Sequence, residues 1–203
     1  MRKLYLILIV VLSTGCINMH EPTEQAKYIN CYNSFDSFLV DIIPKKIPND
    51  YVRYGYASLK HLSGANKYAG MHLTTRISDL TEYSNLKNKF LEQAKTITSS
   101  LDTCLMVVQT YGRLEASVQG NFNCDKLVPV PQFGICVVND STHMWQRIKN
   151  ADIIVLDFKF KDILNRPDSE LRTDIPKELS TGYSKGVTLN KNDMTIQKWV
   201  IVW

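Results

Sequence analysis

The chain has 203 residues, of which 44% are apolar, and its 24 basic and 20 acidic residues give a formal net charge of +4. Nucleic-acid binding normally needs basic residues concentrated on one face, whereas here they are scattered along the chain, which excludes that class. A chain of this length buries roughly 70% of its extended surface on folding, so the composition predicts one domain with an ordinary core.

The first predicted element is a secretory leader. Arg2 and Lys3 are followed by the apolar run Leu4 to Leu12 and then by small residues before Cys16. That order of charged, apolar and small residues is typical of an export signal. The apolar run is too short to remain as a transmembrane helix, which needs roughly 20 residues.

The end of this leader, "LSTGC", resembles the lipobox of bacterial lipoproteins, although Ser13 stands where that class most often has Leu. The resemblance implies that residues 1–15 are removed and that Cys16 is lipidated. Residues 16–24 would then be a tether, and residues 25–203 a single α+β domain. In enterobacterial lipoproteins an Asp after the cysteine favours the inner membrane, so Ile17 implies an outer-membrane anchor facing the periplasm. The alternative is a plain secreted protein.

Helical patterns dominate the first half of the domain. Apolar residues on one face predict an amphipathic helix from Glu24 to Ile43, ended by Pro44. Asp50 to Leu62 fits a shorter helix or, because Gly55 weakens a helix, a strand with alternating tyrosines. These tyrosines are either core residues or interface anchors. "MHLTTRI" alternates like a strand. Asp79 to Leu101 predicts a long helix with Asp79 as its N-cap and Glu82 three residues on.

Strand patterns dominate the second half. The five candidates are "CLMVVQTY", "RLEASVQG", "FGICVVND", "DIIVLDFKF" and "KWVIVW", with a small helix expected over 141–150. The expected fold class is therefore α+β, with N-terminal amphipathic helices followed by a five-stranded antiparallel sheet that is either curled or partly closed in a barrel-like form.

Two irregular regions are candidates for binding. The first contains "LVPVPQ", a stiff proline segment. Its candidate interaction residues are Val128, Pro129, Val130 and Pro131. The second runs from Lys161 to Thr195 with little periodicity, and a short helix is expected near Pro176 to Leu179. Long irregular segments in compact domains often bind something.

Four cysteines remain once Cys16 is assigned to lipid: Cys31, Cys104, Cys124 and Cys136. An even number in an oxidising compartment predicts two disulfides. Sequence alone leaves three pairings open, and the preferred one joins Cys124 to Cys136 and Cys31 to Cys104. Metal binding is the competing interpretation, but no pair has the spacing of a zinc site.

The sequence shows no Gly-x-Ser-x-Gly elbow, Ser-x-x-Lys, Walker loop or His-Glu-x-x-His. We therefore assign no catalytic residue, metal ligand or cofactor. The leading hypothesis is a non-enzymatic lipoprotein of the outer membrane, bound to the membrane through Cys16 and acting as a structural or accessory component of a secretion or assembly complex with a protein partner. The alternatives are an immunity lipoprotein that inhibits a toxin, or a ligand carrier or hydrolase without a motif, which predicts a deep pocket with convergent polar groups.

Overall fold

The computed structural model describes residues 23–62, 68–108, 110, 124–138, 145–171, 173 and 176–203. In this part of the chain the helices are α1 (Glu24–Tyr32), α2 (Ser37–Val40), α3 (Leu80–Leu91) and α4 (Gln132–Ile135), with 3₁₀ turns at Leu59–His61, Asp168–Glu170 and Lys177–Leu179. The strands are β1 (Tyr51–Ala57), β2 (Ala69–Arg76), β3 (Thr96–Ser99), β4 (Leu105–Val108), β5 (Val128–Pro131), β6 (Cys136–Val138), β7 (Trp145–Arg147), β8 (Ala151–Lys159), β9 (Tyr183–Asn190) and β10 (Thr195–Val202). The leader with Cys16, and the strand candidate "RLEASVQG", lie outside the described residues.

A six-stranded antiparallel sheet organises the domain, in the order β1-β2-β10-β9-β8-β3. Within the described residues β1 and β3 are its two edges, so the sheet is open. The expected class of helices with an antiparallel sheet is confirmed, whereas the strand number and the barrel-like closure are wrong. Of the four strand candidates within the described residues, the first and third contribute β4 and β6 to smaller sheets, and the fourth and fifth belong to this sheet as β8 and β10.

Both faces of the sheet are covered, because its strands alternate between two sets of side chains. In β10, Ile196, Val200 and Val202 pack on the helical side. Trp199 and Ile201 point to the opposite side, where they meet a layer built from β4, β5, α4 and β6. The glycine at position 186 permits this packing, since a Cβ there would lie 2.8 Å from Trp199 and would also meet the carbonyl oxygen of Ile154.

The helical layer differs from the predicted pattern in two places. The expected helix over Glu24 to Ile43 is broken into α1 and α2 by a turn, although its apolar residues Tyr28 and Leu39 are buried as expected. The expected helix from Asp79 to Leu101 ends at Leu91, and part of its remainder forms the edge strand β3. Residues 145–147, in the region expected to form a small helix, are strand β7.

The N-terminus of α3 is capped as the sequence indicates. The carboxylate of Asp79 accepts hydrogen bonds from the backbone N–H groups of Thr81 and Glu82, both at 2.8 Å. Glu82 reaches back to the backbone N–H of Ser78 rather than to that of Asp79. The capping box therefore differs from the usual one in its second hydrogen bond, which Glu82 accepts from the residue before the N-cap.

The ambiguous segment after Asp50 is strand β1, so the strand alternative is confirmed, as is the strand at "MHLTTRI". The short helix expected near Pro176 to Leu179 is the 3₁₀ turn Lys177–Leu179. The region from Lys161 to Thr195 was expected to be irregular, but it contains β9, a central strand. Lys185 obscures the pattern of β9 because it lies on the helical side, where its amine binds the carboxylate of Asp41 at 2.7 Å and the carbonyl of Phe38.

The cysteine pairing differs from the preferred one. Cys104 is bonded to Cys124, and Cys31 and Cys136 are buried thiols. The pairing follows from strand order, because Cys104 and Cys124 precede the two parallel strands β4 and β5 and so lie side by side, with Cα atoms 5.7 Å apart. Cys31 and Cys136 belong to core clusters on opposite faces of the sheet.

Candidate functional site

A cavity of about 370 Å³ opens on the sheet face opposite the helices. The part of the sheet face that lines it carries polar side chains, such as those of Thr74 and Gln197, instead of apolar ones. Ile148 supplies one apolar wall and Val52 another. A volume of this size is within the range of small-molecule sites.

Strand register builds the floor of the cavity from two adjacent rows of side chains. The first row places Arg53, Thr74, Gln197 and Thr188 side by side across β1, β2, β10 and β9. The second row places Arg76, Thr195 and Asn190 side by side across β2, β10 and β9. All seven residues line the cavity. The site therefore collects residues that are distant in sequence.

A β-bulge in the edge strand directs Arg53 into this site. The register of β1 shifts between Tyr51 and Arg53, so that the consecutive residues Val52 and Arg53 both line the cavity. In a regular strand, consecutive side chains point to opposite faces. Bulges commonly redirect a side chain in this way beside binding sites.

Arg53 is half-buried and incompletely paired. Its Nε donates to Thr74 Oγ1 at 3.3 Å, and within the described chain its guanidinium makes no ion pair. Burial lowers the pKa of the Arg53 guanidinium, and the charge of Asp193 opposes that shift. Arg76 lies at the exposed end of β2, and its guanidinium has no hydrogen bond or ion pair with any residue that the structure describes.

Gln197 and His72 form the buried end of the polar face. The amide nitrogen of Gln197 donates to Nδ1 of His72 at 3.2 Å, and the imidazole stacks on Phe133 with ring centroids 4.6 Å apart. Burial, followed by the charge of Arg53, lowers the pKa of His72 to about 4. His72 is therefore neutral at physiological pH. The Oε1 atom of Gln197 is buried without a partner among the described residues.

The turn between β9 and β10 fixes the acidic side of the cavity. Asn190 Oδ1 accepts hydrogen bonds from the backbone N–H groups of Asn192 and Asp193. Its Nδ2 donates to the carboxylate of Asp193 at 2.7 Å. The turn closes at Met194, whose φ of 48° lies in the left-handed region. Asp193 thereby lines the cavity together with Arg53 and Arg76, with one carboxylate oxygen already engaged.

A second feature of this side of the molecule is the edge strand itself. All seven residues of β1 are exposed or half-buried. Tyr51 and Val52 are 46% and 44% exposed, and Tyr51 packs edge-on against Tyr54 with centroids 5.3 Å apart. No described strand pairs with the outer side of β1. An unpaired edge with exposed apolar groups is a template for strand addition.

The predicted site residues do not form this site. Val128, Pro129, Val130 and Pro131 are all buried in β5, so they do not form the exposed interaction loop that the proline pattern indicated. Burial raises the pKa of the Cys31 thiol to about 12 and that of Cys136 above its usual range. Both cysteines are packing residues in this structure.

The described residues include no group of three metal-ligating side chains. No described helix is long and apolar enough to cross a membrane. No short motif contains the residues of the cavity, so the sequence does not indicate it. The only local signal was the alternation of Thr195, Gln197 and Trp199 on one face of a strand.

In comparisons with known proteins, no family model, no curated protein and no solved structure matches this chain.

Proposed function

We propose that this chain is a lipid-anchored protein of the bacterial envelope, held in the outer membrane through Cys16 and facing the periplasm. It acts by binding another envelope protein, as an accessory component of a secretion or assembly complex. The leader ending in "LSTGC" supports the anchor. The disulfide between Cys104 and Cys124 supports export, because such bonds persist in oxidising compartments.

The observation that carries the binding role is the open edge of β1. Its exposed Tyr51 and Val52 offer apolar contacts, and its unpaired side offers backbone hydrogen bonds to an extended segment of a partner. The proline segment and the region after Lys161, which the sequence indicated as interaction sites, contribute the buried strands β5 and β9 instead.

The anchor is tested by metabolic labelling with palmitate. We expect label in the unaltered protein and none in Cys16→Ser, which should leave the membrane fraction because several acyl chains are needed for stable attachment. Cys31→Ser is the matched control and should label normally, since Cys31 is a buried thiol. Unlabelled parent protein would overturn the anchor.

The partner is tested by crosslinking in intact cells. Tyr51→Lys places a charge on the exposed edge of β1 and should abolish the crosslinked neighbour of the parent protein. Ile97→Lys is the control, because Ile97 is 54% exposed on β3, the opposite edge of the sheet. A parent protein that is a strict monomer without crosslinked neighbours contradicts the accessory role.

A small-ligand carrier is the second candidate, and the cavity favours it. That hypothesis required a pocket with convergent polar groups, and the two rows of side chains across β1, β2, β10 and β9 have this arrangement. The chemistry of the ligand follows from the charges in the cavity.

A further inference from the structure

We infer that the cavity binds a small organic anion, whose carboxylate or phosphate group lies between Arg53 and Arg76. This inference does not rest on the lipid anchor or on a protein partner. It concerns a site that strand register places on the sheet face, and it holds equally for a secreted form of the protein.

The charge balance of the cavity indicates an anion. Two guanidinium groups line it, and Asp193 is the acidic residue among its described lining, which leaves one positive charge unmatched. The charge of Asp193 acts on Arg53, so the unmatched charge is that of Arg76, and no described carboxylate forms an ion pair with either guanidinium. A ligand anion supplies the missing counter-charge.

The geometry of arginine selects the group. A guanidinium presents parallel N–H donors that match the two oxygens of a carboxylate or phosphate. The donors of Arg76 and the outer donors of Arg53 are unused within the described chain. A lysine ammonium would attract any anion as a point charge. The two guanidinium groups instead favour an oxyanion whose oxygens match their paired N–H donors.

The remaining walls indicate what the anion is attached to. Thr195 lines the cavity and is half-buried, and its hydroxyl has no hydrogen-bond partner among the described residues. A hydroxyl group on the ligand can pair with it. Val52 and Ile148 supply apolar contacts, and a cavity of about 370 Å³ suits a compact molecule. The class is therefore a hydroxyl-bearing organic acid or phosphate ester.

Binding is tested by NMR titration at constant ionic strength, with acetate, glycolate and inorganic phosphate as probes and chloride as the reference salt. The side-chain amide signals of Gln197 and Asn190 report on the cavity. We expect saturable shifts for all three anions and tighter binding of glycolate than of acetate. Equal affinities for glycolate and acetate would remove the hydroxyl from the proposal, and shifts no larger than with chloride would overturn it.

Variants identify the residues. Arg53→Gln should weaken binding about tenfold or more, because a charge-assisted pair is lost. Arg76→Gln should do the same, and it decides the matter if Arg53→Gln does not fold, since Arg76 is exposed at the end of β2. Lys46→Gln removes the same charge from an exposed position outside the cavity and should bind normally. Equal weakening in Lys46→Gln would show that only overall charge matters, which would overturn the site.

Discussion

His72 shows how burial controls the charge of a single residue. Its imidazole is 8% exposed, stacks on Phe133 and accepts from Gln197. Gly55 makes room for it, since a Cβ at that position would lie 2.5 Å from Nε2 of His72. The folded-state pKa of about 4 lies below the ordinary value of 6.5 because burial disfavours the charged form.

This shift predicts the pH dependence of stability. Between pH 6.5 and about 4 the unfolded chain binds a proton at His72 that the folded chain does not, so stability is complete above 6.5 and is lost as the pH falls. From near pH 7 to near pH 5, His72 should remove about 2 kcal/mol of the free energy of unfolding. Urea denaturation of the parent and of His72→Asn measures this loss.

The variant should be less stable near pH 7 but should lack this part of the pH dependence. Aspartates such as Asp162, whose pKa is lowered by hydrogen bonds from Arg166 despite burial, act only below the ordinary value of 3.8, so they do not contribute in this window. The same slope in parent and variant would show that His72 is accessible to protons in the folded state.

At this scale the sequence indicates core residues better than site residues. Trp199 and Leu39 are apolar members of clear periodic patterns, and both are fully buried. Arg53 stands in a segment that fits either a helix or a strand, and only the bulge in β1 directs it into the cavity. No local pattern signals a residue whose role depends on three other strands.

Among the elements, α3 is the one whose boundary is most clearly set by a side chain. Asp79→Ala should lower the free energy of unfolding by about 1 kcal/mol, because two backbone N–H groups lose their acceptor. Asp50→Ala, a change at an exposed position before β1, is the control and should have an effect within about 0.5 kcal/mol. Chemical denaturation compares the two, and equal effects would mean that the cap contributes nothing.

The other end of the same helix shows where local patterns fail. Ala94, Ile97 and Leu101 continue a helical spacing, but Thr96 to Ser99 pair with β8 and leave Ile97 54% exposed. Hydrogen bonds to the sheet outweigh helix propensity, which is a weak preference. Strand β9 is the reverse case, a strand without a clear strand pattern in the sequence. Lys185 and Gly186 interrupt its alternation, although the sheet accommodates both.

At the scale of the whole molecule, one disulfide crosslinks the described chain, and two further cysteines are buried as free thiols. Cys104→Ser combined with Cys124→Ser should lower the free energy of unfolding by about 3 kcal/mol, because the bond closes a loop between residues 20 positions apart. Peptide mapping of the oxidised protein should identify the Cys104 to Cys124 peptide. Cys31 and Cys136 should react with thiol reagents only after unfolding.

A disulfide between Cys124 and Cys136 would contradict the predicted pairing of Cys104 with Cys124. The sequence indicated an oxidising compartment but not the pairing, because four cysteines allow three connectivities. The choice depends on β4 and β5 lying parallel, with Val128 donating its N–H to the carbonyl of Cys104. That arrangement involves a long-range contact between strands, which no spacing of cysteines reveals.

The pairing of β10 with β2 has a kinetic consequence. Gln197 meets His72 across 125 positions of sequence, so the centre of the sheet cannot form until distant segments have found each other. Closing such a loop costs chain entropy before the contacts that stabilise it have formed. Topologies of this kind refold in milliseconds to seconds. We expect a slow folder, whose chain stays open between β2 and β10 for milliseconds to seconds after folding begins.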